Sequence, residues 1–423
     1  MVHRMGKDPI DFVFLYHPHL YDIDPNAQVG LGMLLLATYA KKLGATVRVI
    51  NAQGVDVDTA SLIVPKCKYL MMYGCMIDSN IINAITIKTR KKVGEVYIGG
   101  PIAKSKFSTL LSNVTFIDGY GEDLIEHLAH GYVDWRTVNT SQLRHDINYY
   151  PSPDRTLIEG DYGGNIFKLG VAKCAVSTTL LTSRGCRYRC AFCTSGSDNF
   201  FADYSLNYIE QDLESCILLG IKNIRISDDN LVANRNRMET LCGLFQDAGI
   251  KWRGSIRTFP NDYEMYQMMK VCGCEELSFG IESGEIKTLS LLNKGATVTQ
   301  NTTAIQNAKK AGIFTRALMM MGTPGETRDT LYRNMAWVDE AKPDAVSLKM
   351  FVPFPGTAIY ADPEKYRCKI HLPLPDVNNS AYRPDMSEPK ANIDTEELHQ
   401  GELTNQFEKM KSYLEAKGIE NRG

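Results

Sequence analysis

Three cysteines stand close together in this chain, in the run Ser183-Arg184-Gly185-Cys186-Arg187-Tyr188-Arg189-Cys190-Ala191-Phe192-Cys193. The spacing is C-x3-C-x2-C. A tight loop carrying three thiolates can hold one face of an iron–sulfur cluster, and a [4Fe–4S] cluster ordinarily takes four protein thiolates. Three leave one iron open to a substrate or cofactor. Zinc is the competing ligand. A structural zinc site wants four ligands, usually from paired C-x2-C knuckles. The other close pair, Cys272 and Cys274, adjoins a run that reads as a buried strand. The remaining cysteines are scattered, which does not suit a disulfide framework.

Chemistry at such a loop needs a scaffold that repeats. From residue 176 onward, strands are expected at 178–182, 223–227, 252–256, 276–281, 315–320 and 345–350. Helical stretches lie between them, as at 206–219, 234–248 and 299–311. Six successive strand–helix units fit a partial (β/α) barrel, whose sites lie at the C-terminal ends of the strands. The cysteine run follows the first of these strands. The first 147 residues alternate on a shorter beat, with strands at 11–16, 46–50, 69–73, 95–98 and 115–118 and helices at 31–43 and about 81–92. Gly44 closes the first helix as a C-terminal cap. Strands separated by helices imply right-handed crossovers and a parallel sheet. The domain is read as Rossmann-like, with ligands expected at the carboxyl ends of its strands. Residues 148–175, opening on NYYPSPD, read as a linker. Residues 176–360 form the barrel, and 361–423 a polar extension ending in a charged helix over 395–416.

The barrel resembles the radical S-adenosylmethionine (SAM) superfamily. The cysteine run after the first strand, with Phe192 as the aromatic, matches its signature. Ile226-Ser227-Asp228-Asp229-Asn230 looks like the second-strand motif, and Arg257 like the third-strand arginine. Phe279-Gly280-Ile281-Glu282-Ser283-Gly284 looks like the fourth-strand SAM motif. Met321-Gly322-Thr323-Pro324-Gly325-Glu326-Thr327 resembles G-x-P-G-E-T, and Pro353-Phe354-Pro355-Gly356-Thr357 resembles P-x-P-G-T. Arg187 departs from the pattern, standing where many relatives have proline. The resemblance implies that Cys186, Cys190 and Cys193 bind a [4Fe–4S] cluster. It also implies that Phe192, Asp229, Arg257, Gly280, Glu282 and Ser283 form the SAM site. One electron passed to the sulfonium would break the bond to the ribose 5′ carbon and leave a 5′-deoxyadenosyl radical. The protein must aim that carbon at the substrate and exclude water. From their own chemistry, Arg257 and Glu282 also fit strand-end charges in solvent or a structural ion pair. Asp228 or Asp229 also fits a helix cap.

The N-terminal domain resembles the cobalamin-binding domain that precedes the barrel in one radical-SAM subgroup. Gly30-Leu31-Gly32 opens its first helix, Ile98-Gly99-Gly100-Pro101 closes its fourth strand, and Gly119-Tyr120-Gly121-Glu122 stands where relatives have G-E-G-E. By that resemblance Leu31, Ser79, Gly99, Gly100, Gly119, Gly121 and Glu122 would line the cofactor. Glycines there let the backbone approach a flat macrocycle. There is no D-x-H-x-x-G. His17 and His19 lie in the first strand's loop without reproducing that motif, and a lone loop histidine reads as solvated.

The whole implies a cobalamin-dependent radical SAM enzyme, a methyltransferase acting on a carbon centre of a small-molecule or peptide substrate. One SAM would give its methyl and a second the radical. An electron donor such as flavodoxin or ferredoxin is the expected partner. The runner-up is a cyclisation, oxidation or rearrangement of the same architecture without methyl transfer. A methylthiotransferase would want a further cysteine triad in the N-terminal domain, which is missing. A non-catalytic cobalamin or iron–sulfur carrier would need no SAM site. The 423 residues carry a formal charge of −2 with 44% hydrophobic and 23% charged content. This composition suits a globular chain and lacks the basic footprint of a nucleic-acid binder. No apolar run reaches the length of a membrane span, and MVHRMGKDPIDF is not a signal peptide, so a cytoplasmic protein is expected.

Overall fold

A computed structural model describes residues 10–18, 30–75, 78–105, 113–132, 140–159, 177–195, 200–232, 234–259, 262–371 and 390–421. The chain divides into two compact units, Met1–Ala175 and Val176–Gly423.

The first unit is built from β1 (Ile10–Tyr16), α1 (Leu31–Lys42), β2 (Val47–Asn51), α2 (Val57–Ile63) and β3 (Cys67–Tyr73). It continues with α3 (Ser79–Thr89), β4 (Val93–Gly99), β5 (Val114–Phe116), α4 (Glu122–Ala129) and β6 (Ile158–Glu159). The six strands are parallel in the order β5-β4-β3-β1-β2-β6. Phe12 to Leu15 of β1 are completely buried, as the central strand of a sheet covered on both faces must be. The order reverses between β1 and β3, and ligands of open α/β sheets sit at such a point. Leu43 ends α1, and Gly44 follows it with φ +90°, the left-handed step expected of that glycine. Within the stretch read as linker, Ile158 and Glu159 extend the sheet beside Val49 and Ile50. Two short edge residues after a proline-rich run carry no periodicity from which a strand could be read.

The second unit opens with β7 (Ser177–Leu180), then β8 (Ser183–Gly185) and β9 (Phe201–Asp203), an antiparallel pair. There follow α5 (Leu206–Leu218), β10 (Asn223–Ile226), α6 (Arg235–Asp247), β11 (Lys251–Ile256), α7 (Tyr263–Val271) and β12 (Cys274–Glu282). Next come α8 (Ile286–Leu291), α9 (Val298–Lys310), β13 (Phe314–Met321), α10 (Thr330–Ala341), β14 (Ala345–Met350) and α11 (Ala358–Ala361). The chain closes with β15 (Cys368–Ile370), β16 (Ile393–Thr395), α12 (Gln400–Ala416) and β17 (Glu420–Asn421). The main sheet runs β7-β10-β11-β12-β13-β14-β17, all parallel. Through β14 its spatial order is its chain order, so every right-handed crossover returns on the same side. That is the winding of a barrel wall rather than of a doubly wound sheet.

Burial alternates accordingly. On the helix side, Ile224, Ile226, Trp252, Ile256, Leu277, Phe279, Ile281, Ala317, Met319 and Met321 are buried. On the other side the residues between them are largely half-exposed. The final helix begins at Gln400, not at 395, because Ile393–Thr395 pairs with Cys368–Ile370. Among the described residues, no helix is long and apolar enough to cross a membrane.

Candidate functional site

The cysteine loop leaves the sheet through β8. Gly185 there has φ +76°, and a Cβ on it would lie 2.1 Å from the Phe200 carbonyl oxygen, so only glycine fits this turn. Buried Asp228, at the end of β10, anchors the run into the loop. It accepts from the Thr182 N–H at 2.7 Å, the Thr182 hydroxyl at 2.5 Å and the Ser183 hydroxyl at 2.7 Å. Desolvation raises its carboxyl's pKa, and these donors pull the other way. Neither Asp228 nor Asp229 caps the following helix; the Asn234 side chain does. Asp229 is exposed and accepts from the Ser195 hydroxyl at 2.7 Å.

The loop is clamped along its length. The Ala191 N–H donates to Leu292 O, the Ile359 N–H donates to Ala191 O, and the Asn293 side chain donates to Arg189 O. Ile359 is held there because the Thr357 side chain caps α11. The P-x-P-G-T run thus serves the loop through its helix cap. Cys186, Cys190 and Cys193 are half-buried, unbridged thiols, and the Cys193 N–H closes a tight turn on Cys190 O. Among the described residues, no three His, Cys, Asp or Glu side chains are gathered as one metal ion requires.

Arg257 meets this loop from the end of β11. Its Nη1 donates to Cys190 Sγ at 3.2 Å, and its guanidinium lies 3.8 Å from the Tyr188 ring centre. The residue is buried, and its Nη2 has no partner. Its backbone N–H donates to the Asn230 side chain, tying β11 to the second-strand motif.

Glu282 ends β12 with φ 64°, where the register of β12 against β13 shifts. Its Oε1 accepts from Lys294 Nζ at 2.7 Å, and both side chains are almost wholly buried. The Lys294 Nζ also lies 6.0 Å from the Phe192 ring centre. A Cβ on Gly280 would sit 2.6 Å from Lys294 Nζ and 2.8 Å from Glu282 Oε1, so Gly280 makes room for the pair. Ser283 is buried; its hydroxyl donates to the Asn334 side-chain oxygen and accepts from the Glu285 N–H. The structure therefore brings together Cys190 with Arg257, and Phe192 with Lys294, Glu282 and Gly280. Ser283 is engaged in the turn after the strand. Lys294 was not legible in the sequence, since a lysine after a short helix reads as solvated. Glu326 of G-x-P-G-E-T is also buried. Its Oε1 accepts from the Thr323 N–H and hydroxyl, and burial pushes its pKa up to about 7.

In the first unit the sheet's carboxyl edge has a different character. His17, which read as solvated, is buried: it lies 1% exposed at the β1/β3 switch point. Its Nε2 is 2.9 Å from Tyr73 O and its Nδ1 3.0 Å from Pro18 O. Two backbone carbonyls, that of Tyr73 at the end of β3 and that of Pro18 in the loop after β1, flank it there. His19 lies outside the described residues. Gly100 (φ +91°) admits the Tyr73 ring, Gly119 (φ +121°) admits Thr140 O, and Gly121 admits the Leu36 side chain. These three glycines serve close packing within the domain. Among the described residues, a Cβ at Gly99 or Gly32 would meet nothing within 4 Å, and at Gly30 only the edge of Tyr16 at 4.0 Å. Leu31 and Ser79 are buried at the first turns of α1 and α3, and Glu122 at the first turn of α4.

Residues 180–338 match the radical SAM superfamily model. Over 187 residues the chain is 30% identical to an uncharacterized methyltransferase of Pyrococcus horikoshii, covering 43% of this chain and 40% of that protein. Over 193 residues it is 28% identical to the anaerobic magnesium-protoporphyrin IX monomethyl ester cyclase of Cereibacter sphaeroides, covering 43% of this chain and 31% of that one. The chain thus matches less than half the length of either relative. Among solved structures it resembles the radical S-adenosylmethionine methyltransferase TsrM from Kitasatospora setae, described with cobalamin and a [4Fe–4S] cluster bound. The TM-score is 0.62 at 15% identity, over 83% of this chain and 77% of that one. At that identity the likeness is one of fold, and it takes in both an N-terminal parallel sheet and a barrel. The cysteine loop after the first barrel strand, the strand-end Arg257 and Glu282 beside it and the match across residues 180–338 agree: residues 180–338 of this chain are a radical SAM superfamily domain.

Proposed function

We propose that this radical SAM enzyme transfers a methyl group to a carbon centre of a small-molecule or peptide substrate. In this reading Cys186, Cys190 and Cys193 hold a [4Fe–4S] cluster and the N-terminal domain holds cobalamin. The observation that carries the barrel's part is Arg257. One of its nitrogens donates to Cys190 Sγ, and another is buried without a partner. A buried, unspent donor is costly, and an anionic group such as the carboxylate of SAM would satisfy it. Arg257 would then orient that carboxylate while its first nitrogen steadies the cysteine. Lys294 fixes one oxygen of Glu282 and leaves the other to accept from an ammonium or hydroxyl group of SAM. When bound, the cluster supplies an electron and an open iron, and cobalamin supplies a carrier for the methyl group. An electron donor of the flavodoxin or ferredoxin type would reduce the protein between turnovers.

For the N-terminal domain, the reading is supported by the open space at Gly30, Gly32 and Gly99. The likeness of fold to TsrM supports it too. The cyclase among the relatives favours a second reading, a radical transformation without methyl transfer. The coproducts separate the two. Methyl transfer consumes one SAM to S-adenosylhomocysteine and another to 5′-deoxyadenosine and methionine, so the two nucleoside products should rise together. Substrate-dependent turnover that yields 5′-deoxyadenosine with no S-adenosylhomocysteine would overturn methyl transfer and establish the second reading.

A further inference from the structure

The three cysteines lie in the loop of a very short hairpin. β8 pairs with β9 through Ser183 and Asp203, Arg184 and Ala202, and Gly185 and Phe201, and the two strands form a sheet of their own. Cys186 follows β8 directly, with Cys190 and Cys193 beyond it. A two-stranded hairpin of this size is marginal by itself. Asp228 anchors the foot of β8 through Thr182 and Ser183. That anchor does not reach β9.

Arg237, in the first turn of α6, grips both feet of the hairpin. Its Nη2 donates to Thr182 O at 2.7 Å and to Tyr204 O at 2.8 Å, and its Nε lies 2.9 Å from Asp203 Oδ1. Thr182 precedes β8 and Tyr204 follows β9. The Asn234 cap accepts from the Arg237 N–H, which fixes the turn from which the side chain leaves. A cation in the first turn opposes the helix dipole, so the stability of α6 does not account for an arginine at this position. A planar guanidinium holds several acceptors in fixed directions, which an ammonium does not. The grip continues outward. Asp203 Oδ2 lies 3.7 Å from Arg187 Nη2, and the Arg187 guanidinium lies 4.2 Å from the Phe201 ring centre. Arg187 adjoins Cys186, where many relatives have proline, and its side chain ties the loop back to β9. That side chain is 55% exposed against 19% for Arg237. Exposed ion pairs contribute little, so the weight falls on Arg237.

We propose that Arg237 is a positioning residue for the cluster: it clasps the feet of the hairpin and so fixes the mutual placement of the three thiols. The proposal rests on the reading of Cys186, Cys190 and Cys193 as cluster ligands. Three thiolates leave one iron without a protein ligand, so a cluster on this loop depends on all three bonds at once. Groups that orient metal ligands without touching the metal govern retention in this way.

Iron release tests this without turnover. Full-length wild-type protein and the variants R237Q, R237K, D203A, R187A and R235Q are reconstituted anaerobically, desalted and reduced. Iron loss to an excess of ferrous chelator is followed with time, and the EPR spectrum of the reduced cluster is recorded. R237Q should release iron roughly 10-fold faster than wild-type protein, with an altered spectrum. R237K keeps the charge without the fork, and D203A removes one acceptor; both should fall between. R187A should change release less than R237Q does. R235Q is the control, because Arg235 lies in the same turn but pairs with Glu239 and Asp262; it should match wild-type protein. If R237Q does not fold, R237K and D203A decide. Wild-type release and spectra in these variants, even with a lowered unfolding midpoint, would overturn the proposal by showing a purely structural role. Equal acceleration in R235Q, or a larger effect from R187A, would overturn it as well. Wild-type protein that holds no iron would refute the cluster reading itself and the proposal with it.

Discussion

Glycine does different work at the two sheet edges of this chain. In the barrel, Gly280 is small because Lys294 and Glu282 occupy the space a Cβ would need. In the N-terminal unit, Gly32 and Gly99 have no atom of the described residues within 4 Å of where a Cβ would stand. The first edge is furnished by its own side chains: a buried ion pair, a guanidinium on a thiol and a clamped loop. The second is bare. A furnished edge suits a small, charged cofactor whose groups must be aimed; a bare edge suits a large one that brings its own reactive centre. Each can be damaged in ways the other should not feel.

The largest effect should come from the thiols. Replacing Cys186, Cys190 and Cys193 together by Ala should abolish the visible absorption and the iron, about four per chain after anaerobic reconstitution. Replacing the buried pair Cys272 and Cys274 should spare both. Iron retained by the triple variant would refute the assignment.

Next comes the ion pair. Glu282→Gln leaves the buried ammonium of Lys294 unmatched. The expected loss is about 3–5 kcal/mol of stability, read by denaturant unfolding of the full chain. Gly280→Ala forces the pair apart and should lower 5′-deoxyadenosine formation roughly 100-fold by misplacing these groups. If that variant cleaves SAM at the wild-type rate, the furnished edge is not the SAM site.

Glu326 gives a smaller, pH-dependent effect. Its folded pKa, about 7, lies above the ordinary 4.5. Below pH 4.5 both states carry the proton. Between the two values the unfolded chain ionises while the folded one keeps its proton, so stability falls as pH rises, by roughly 3 kcal/mol at most once pH passes 7. Unfolding free energies measured from pH 5 to 8 should fall less steeply in Glu326→Gln. An unchanged slope would show that Glu326 titrates normally.

The smallest effects should be at the N-terminal edge. Gly100→Ala must fit a Cβ 2.6 Å from the Tyr73 ring at φ +91°. It should cost about 1–3 kcal/mol in chemical denaturation. Gly99→Ala, with open space, should stay within about 0.5 kcal/mol. Equal costs would mean that the open space is not open.

Much of this was legible in the sequence because the relevant physics is local. The C-x3-C-x2-C spacing announces a multi-thiolate loop. The strand–helix beat announced both parallel sheets, and the barrel strands fell within a few residues of those expected. What was illegible depends on tertiary placement. Lys294 lies 12 residues from Glu282 and meets it only because α8 folds back over the strand end. His17 reads as solvated until Tyr73, 56 residues on, supplies its carbonyl. Gly100 and Gly119 look like cofactor glycines in one dimension, yet Tyr73 and Thr140 O fill the space beside them.

The contrast between the two edges is tested most directly by measuring iron and cobalamin on one desalted sample, anaerobically reconstituted with both. Wild-type protein, the triple-cysteine variant and Gly99→Val are compared. Wild-type protein should retain both, the triple-cysteine variant cobalamin without iron, and Gly99→Val iron without cobalamin. Wild-type protein that emerges without cobalamin bands, or a Gly99→Val protein that keeps them in full, would contradict the assignment of the bare edge to cobalamin.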